Sequence, residues 1–190
     1  MKGLTPHVAQ EFCSLCDWAY HANQIHRHLF DNNPHVDRLI NSQFGDALSQ
    51  LSGVTVEYAA LQIAKLHDKA VVSGRVTLSI DYILVYGGWD EPAKSELEMI
   101  RKELDSFADK LRQVRNKALS HNDLCAILAG GALGAFEQDE DLAYFDRLKA
   151  FANLVSVSAI GKPFSYSSRI TATSVGIIRI TDALASQLEA

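Results

Sequence analysis

Proline, glycine and cysteine are all scarce in this chain, and each shortage excludes something. Four prolines and eleven glycines among 190 residues are too few for a disordered or collagen-like polypeptide. Three cysteines, Cys13, Cys16 and Cys125, cannot all pair, which argues against a disulfide framework. No secretory leader is expected at the N-terminus, because His7, Glu11 and Asp17 interrupt any apolar run there. An odd cysteine count without such a leader points to a reduced, cytoplasmic setting. Long hydrophobic runs are missing too. The longest uncharged stretch, Leu124 to Phe136, is too short and too glycine-rich to span a bilayer, so no membrane partner is expected. Finally, there is no excess of positive charge. A net charge of -5 argues against binding nucleic acid as a bulk polycation, and any contact with phosphates must come from a local patch.

What is present is the composition of an ordinary globular protein, 47% hydrophobic and 22% charged. The length suits one domain over residues 1–190 with a core large enough to fold alone. The chain reads as a succession of helices. Thr5-Pro6 has the form of an N-cap followed by Pro at the first helical position, opening a helix to about Phe30. Asn33-Pro34 starts a second, expected from Pro34 to about Leu51, with a break or kink at Gly53 before a helix from Val56 to His67. Gly74 and Arg75 read as a loop. Thr77 or Ser79 then caps a short helix through Tyr86, closed by Gly87-Gly88.

The strongest pattern follows. Leu97, Ile100, Leu104, Phe107, Leu111, Val114 and Ala118 recur at alternating steps of three and four, which makes one apolar seam along a helix opened by Glu91-Pro92. Gly130, Gly131 and Gly134 form a connection. They lack the Lys-Ser/Thr and preceding strand of a phosphate-binding loop. A further helix is expected from about Asp139 to Ile160, its first turn acidic from Glu137 to Asp141, as the helix dipole favours. Gly161-Lys162-Pro163 ends it. In the tail, the β-branched Val175, Ile177, Ile178 and Ile180 suit a strand, whereas Ile177, Ile180, Leu184 and Leu188 suit a helix, which is the reading preferred. No repeat and no βαβ alternation is apparent, so the expected fold class is an all-α helical bundle.

Polar chemistry concentrates just where the seam ends. Arg115, Asn116, Lys117, Ser120, His121, Asn122 and Asp123 lie within nine residues. His121 and then Cys125 continue the seam register. On a helix Arg115 and His121 would stand about 120° apart around the axis and about 9 Å apart along it, with the small Ala118 midway between them. Asn122 would fall nearly above Arg115, Arg112 would extend the cationic edge by one turn, and Lys117 would lie one turn before His121. Arg presents a planar fork matched to phosphate oxygens. His titrates near neutral pH and can take or give a proton. RNA carries its own nucleophile, the 2′-hydroxyl, so such a site needs no metal or cofactor. One His cannot readily be acid and base in the same step, whereas a second copy of the chain would supply the other. The plainer alternative is a hydrogen-bonded core histidine with Arg and Lys on a solvated flank.

These residues resemble a family. Arg-x5-His with a polar residue directly after the Arg is similar to the signature of the HEPN superfamily of helical nucleotide- and RNA-acting domains. The fuller string Arg115-Asn116-Lys117-x-x-Ser120-His121-Asn122-Asp123 resembles its abortive-infection, AbiU-type branch. A second stretch agrees: Ala60 to Asp68, then Gly74 and Thr77 to Ile80, is similar to that branch's helix ending in Leu-x-Asp and leading to a short helix. Ser120 departs from the branch, which more often has Ala there. The resemblance implies a four-helix core with short additional helices, and dimerisation through the motif-bearing region. It also implies metal-independent endoribonuclease activity in phage defence or toxin–antitoxin systems, with RNA as substrate and an antitoxin protein as partner. On that basis Arg115 would hold the scissile phosphate, His121 would do acid–base work and Asn116 would orient one of them, with Arg112, Lys117 and Asn122 binding substrate. Other members of the superfamily are non-catalytic, so the alternative is a helical interaction or nucleotide-binding module.

Other clusters read as structural. Cys13-x-x-Cys16 with His21, His26 and His28 could supply zinc ligands, but a continuous helix without a knuckle turn favours two thiols buried on a helix face. Trp18, Tyr20, Tyr82, Tyr86 and Trp89 read as core or interface aromatics. Asp68 at a helix end could bond a neighbouring helix start or His121, and His67 beside it is expected to be exposed.

Overall fold

The computed structural model describes residues 4–114 and 139–189, with only the backbone described for 112–114. Seven α-helices are present among them. They are α1 (Pro6–His26), α2 (Val36–Ile40), α3 (Gly45–Leu66), α4 (Ile80–Tyr86), α5 (Glu91–Val114), α6 (Glu140–Ile160) and α7 (Ser168–Ser186). Thr5 caps α1 as its sequence suggests, its hydroxyl accepting from the Val8 N–H at 3.3 Å. A π-helical turn, Arg27–Asp31, extends α1 to the Asn-Pro break. Ser79 caps α4, accepting from the Tyr82 N–H at 3.2 Å, and Asp90 caps α5 through the Ala93 N–H at 3.0 Å.

Three local expectations need correction. The helix expected from Pro34 to Leu51 is instead the five-residue α2, a turn and the start of α3. The break falls at residues 41–44, where the Ser42 hydroxyl bonds both the Leu39 carbonyl (2.7 Å) and the Phe44 N–H (3.1 Å) and so offers the backbone an alternative to the helix. Gly45 completes the turn, since a side chain there would collide with the Ile40 carbonyl. Gly53 does not break α3. It sits mid-helix with open space around it, so its cost is one of propensity alone. The loop at Gly74 is the tip of a small hairpin, β1 (Val71–Val72) antiparallel to β2 (Arg75–Val76). Ser73 (φ 50°) and Gly74 (φ 77°) both lie in the left-handed region, as a tight two-residue hairpin turn demands.

The chain divides into two compact units. One comprises the start of the chain to Cys16 plus Ala60–Ser165; the other comprises Asp17–Ala59 and Tyr166 to the C-terminus. In the first, α5 packs on α6. The α5 seam is buried as its spacing requires: Leu97, Ile100, Leu104, Phe107, Ala108 and Leu111 all face inward. They meet Tyr144, Phe145, Leu148, Phe151, Ala152 and Val155 of α6, with Phe12, Ile63, Ile80 and Ile83 completing the core. Phe12 meets Phe151 edge-on at 5.8 Å. Gly161 ends α6 in the left-handed conformation (φ 76°), its N–H bonding the Ser156 and Val157 carbonyls at 3.1 Å.

In the second unit, α7 is a helix, as preferred from sequence, but its buried stripe is not the expected one. Ile170, Ile177, Thr181 and Ala185 point inward while Ile180 is 59% exposed. Ile180 lies about 60° around the axis from Ile177, outside the face that meets the rest of the unit. Polar ties set that face: His21 Nε2 pairs with the Thr173 hydroxyl (3.0 Å) and His35 Nε2 with Asp182 (3.1 Å).

Leu104 is fully buried. Leu104→Ala is therefore expected to lower unfolding stability by about 2–5 kcal/mol, whereas Lys102→Ala on the wet face should change it by less than about 0.5 kcal/mol. Urea denaturation of the two variants beside wild type checks this; equal effects would contradict the assigned faces of α5.

Candidate functional site

Helix α5 leads straight to the polar string. Its buried seam ends at Leu111 among the described side chains, and its backbone is helical to Val114. Arg115, Asn116, Lys117, His121 and Asn122 lie outside the described residues, as do Ala118, Ser120, Cys125 and the three connecting glycines. Arg112 is placed in the last turn of α5 by its backbone.

What the structure does bring together, ten residues before Arg115, is a polar network that sequence reasoning missed. His67 follows the end of α3, its N–H bonding the Ala64 carbonyl at 3.1 Å. Its side chain was expected to be exposed and is in fact 2% exposed. The imidazole is threaded between α5 and α6, with Nδ1 2.9 Å from Asp105 and Nε2 3.0 Å from the Tyr144 hydroxyl. Both polar edges of the ring are thereby satisfied, as burial requires. Asp105 also accepts from Arg101 Nε at 3.2 Å, and Arg101 reaches Asp81 of α4 at 3.3 Å. Asp81 in turn accepts from the Ala70 N–H at 2.9 Å. The segment after α3, the start of α4, and both α5 and α6 are thus joined by one chain of hydrogen bonds and an ion pair.

Electrostatics follow from this geometry. The hydrogen bond from His67 outweighs the opposing effect of burial and, with the nearby Arg101 guanidinium, holds the Asp105 carboxyl below its ordinary value. Burial raises the Tyr144 hydroxyl well above its ordinary value, with Cys16 and Asp105 pushing the same way. Tyr144 therefore keeps its proton and acts as a hydrogen-bonding group, not a nucleophile. An ionised Asp105 can only accept, so His67 donates to it from Nδ1.

The CxxC pair is buried and unpaired by any disulfide. Burial pushes the Cys13 thiol up to about 11 against a hydrogen bond with Ser156, and its Sγ donates to the Ala152 carbonyl. Such a thiol is an inert core group at neutral pH, because the thiolate is the reactive and metal-binding form. Among the described residues no group of three or more His, Cys, Asp or Glu is arranged to hold a metal ion. His21 and His26 instead bond Thr173 and Thr55. Trp18 is half-exposed and donates from Nε1 to the Tyr58 hydroxyl at 2.8 Å, while Tyr20 stacks on Tyr166 at 3.9 Å. Trp89 closes the end of α4 by donating to the Ile83 carbonyl.

An all-helical architecture is what the HEPN resemblance implies, and the described residues have it. The family model for AbiU2 matches residues 1–171. The chain belongs to the HEPN AbiU2 family. It is an abortive-infection HEPN-type domain, all-α apart from one two-residue hairpin among the described residues. The match spans the whole of Arg115 to Asp123 as well as Ala60 to Ile80, the two stretches that carry the resemblance. No curated protein and no solved structure matches this HEPN chain. No helix among the described residues is long and apolar enough to cross a membrane.

Within this HEPN domain, the signal for the His67 network was faint in the sequence. Arg101 and Asp105 are an i,i+4 pair, which any wet helix face carries, and nothing local marks His67 as buried. The lowered Asp105 carboxyl has a consequence for stability. A depressed folded pKa contributes stability that is full above the unfolded value and is lost as pH falls through the folded one. The advantage of wild type over Asp105→Asn in urea denaturation is therefore expected to be present near neutral pH and to shrink as pH falls below about pH 4. An advantage that persists undiminished at about pH 2 would show that the carboxylate is not held by this network.

Proposed function

We propose that this chain is a metal-independent endoribonuclease of a phage-defence or toxin–antitoxin system, that residues 1–190 form one HEPN-like domain, and that it works as a cytoplasmic homodimer. The observation that carries this reading is the family match, which runs through the Arg115–Asp123 string at the end of the buried α5 seam. Arg115 pairs with two oxygens of the scissile phosphate and neutralises the charge that grows there. His121 takes the proton from the ribose 2′-hydroxyl as that oxygen bonds phosphorus. The bond from phosphorus to the 5′-oxygen breaks, and the leaving oxygen takes a proton from the second His121 in the dimer. The products are a 2′,3′-cyclic phosphate and a 5′-hydroxyl. Asn116 orients the phosphate or the imidazole. Arg112, Lys117 and Asn122 hold flanking phosphates, a local cationic edge on a chain whose net charge is -5. An antitoxin protein restrains the activity.

Purified protein incubated with mixed RNA and EDTA is expected to release fragments ending in cyclic phosphate. His121→Ala and Arg115→Ala should each slow cleavage by about 10²-fold or more, and light scattering should give the mass of a dimer. Intact RNA with wild type, or cleavage unchanged in both variants, would sink the enzyme reading and favour a non-catalytic interaction or nucleotide-binding module.

A further inference from the structure

The contact between α5 and α6 is held by three polar ties as well as by its apolar seam. Lys110 pairs with Glu140, and Glu103 with Arg147. The Glu103–Arg147 pair is exposed and the Lys110–Glu140 pair is partly so, and ion pairs in contact with water are screened and weakly specify geometry. The third tie is different in kind. Asp105, His67 and Tyr144 form a bridge with the imidazole sealed from solvent. The sequence positions of the three ties show that the helices run antiparallel, and the bridge lies between the two outer pairs. Burial of apolar surface is non-directional and tolerates small rotations of one helix against another. A buried hydrogen-bonded ring is directional, because any rotation of α5 that moves Asp105 leaves an unpaired polar group inside, and that is costly. Buried polar groups can fix register in this way without adding net stability.

We infer that His67 is a positioning residue. It belongs to neither helix, yet it fixes the rotation and axial register of α5 against α6. It thereby fixes the direction in which α5 delivers the chain into Arg115. Its relevance to catalysis rests on the ribonuclease reading above; its hold on the two helices does not. Tyr144 is the far anchor of the bridge and Arg101 steadies the near one through Asp105 and Asp81.

Two mild variants test this in the full chain. Tyr144→Phe removes one hydroxyl and keeps the ring in the core. His67→Asn keeps an N–H donor in the place of Nδ1, facing Asp105, and loses the reach to Tyr144. Native-state hydrogen exchange should quicken about tenfold, the worth of one buried hydrogen bond, in residues 108–114 and 140–144. It should stay within about twofold in α7, a contrast that a general loss of stability would not produce. The double variant should be no faster than either single one, because both remove the same link. On RNA, kcat should fall about tenfold with KM unchanged. Uniform acceleration across the chain, no acceleration, additive effects of the two changes, or an unaltered kcat in an active enzyme would each overturn the inference. If wild type leaves RNA intact, the ribonuclease reading fails by itself, and the exchange pattern alone decides whether His67 holds α5.

Discussion

The burial of one seam of α5 against α6 is the constraint on which the larger unit depends. Residues at steps of three and four from Leu97 to Leu111 give α5 an apolar stripe, and Leu97, Leu104 and Leu111 are sealed on the side that packs on the aromatic-rich face of α6. Everything else on α5 follows from that orientation. Arg101, Glu103, Asp105 and Lys110 are turned outward or sideways, where they find Asp81, Arg147, His67 and Glu140. The seam decides which face is inside. The polar partners decide how far around and how far along the helix sits.

The two units are stabilised differently. The first is built from large apolar side chains, among them Phe12, Phe107, Phe145 and Phe151, and the buried His67 ring has both its edges bonded. The second buries smaller residues, Ala19, Ala22, Ala59 and Ala185, beside His21, Gln24, Asn33 and Thr181. Hydrogen bonds such as His21 to Thr173 and His35 to Asp182 therefore carry more of its specificity, since alanine burial contributes little apolar area. The buried stripe of α7 includes Thr181, whose hydroxyl is satisfied within the helix by the Ile178 carbonyl at 3.0 Å.

Membership in the HEPN AbiU2 family follows from a match over most of the chain. The chemical reading follows from an Arg and a His at the end of a buried seam, with short polar residues between and around them. The CxxC pair, the other cluster that invited a chemical reading, is absorbed by the core, where desolvation keeps the Cys13 thiol protonated.

Periodicity and end signals in the sequence were enough for the all-α class, for α1 from Thr5-Pro6, for α4 between Ser79 and Gly87, and for α5 with its buried face. The reason is that these depend on neighbours within one or two turns: caps, φ-restricted residues and the 3.6-residue repeat. The same local logic located the Arg115–His121 string, because spacing along one chain is all that a motif needs. Tertiary structure alone decided the break at Ser42, the inward face of α7 and, above all, the burial of His67 between Asp105 and Tyr144. Those partners lie 38 and 77 residues away. A side chain whose two hydrogen bonds both come from distant segments leaves no periodic trace, so only the packed fold could show that a histidine at a helix end is the bridge on which α5 turns.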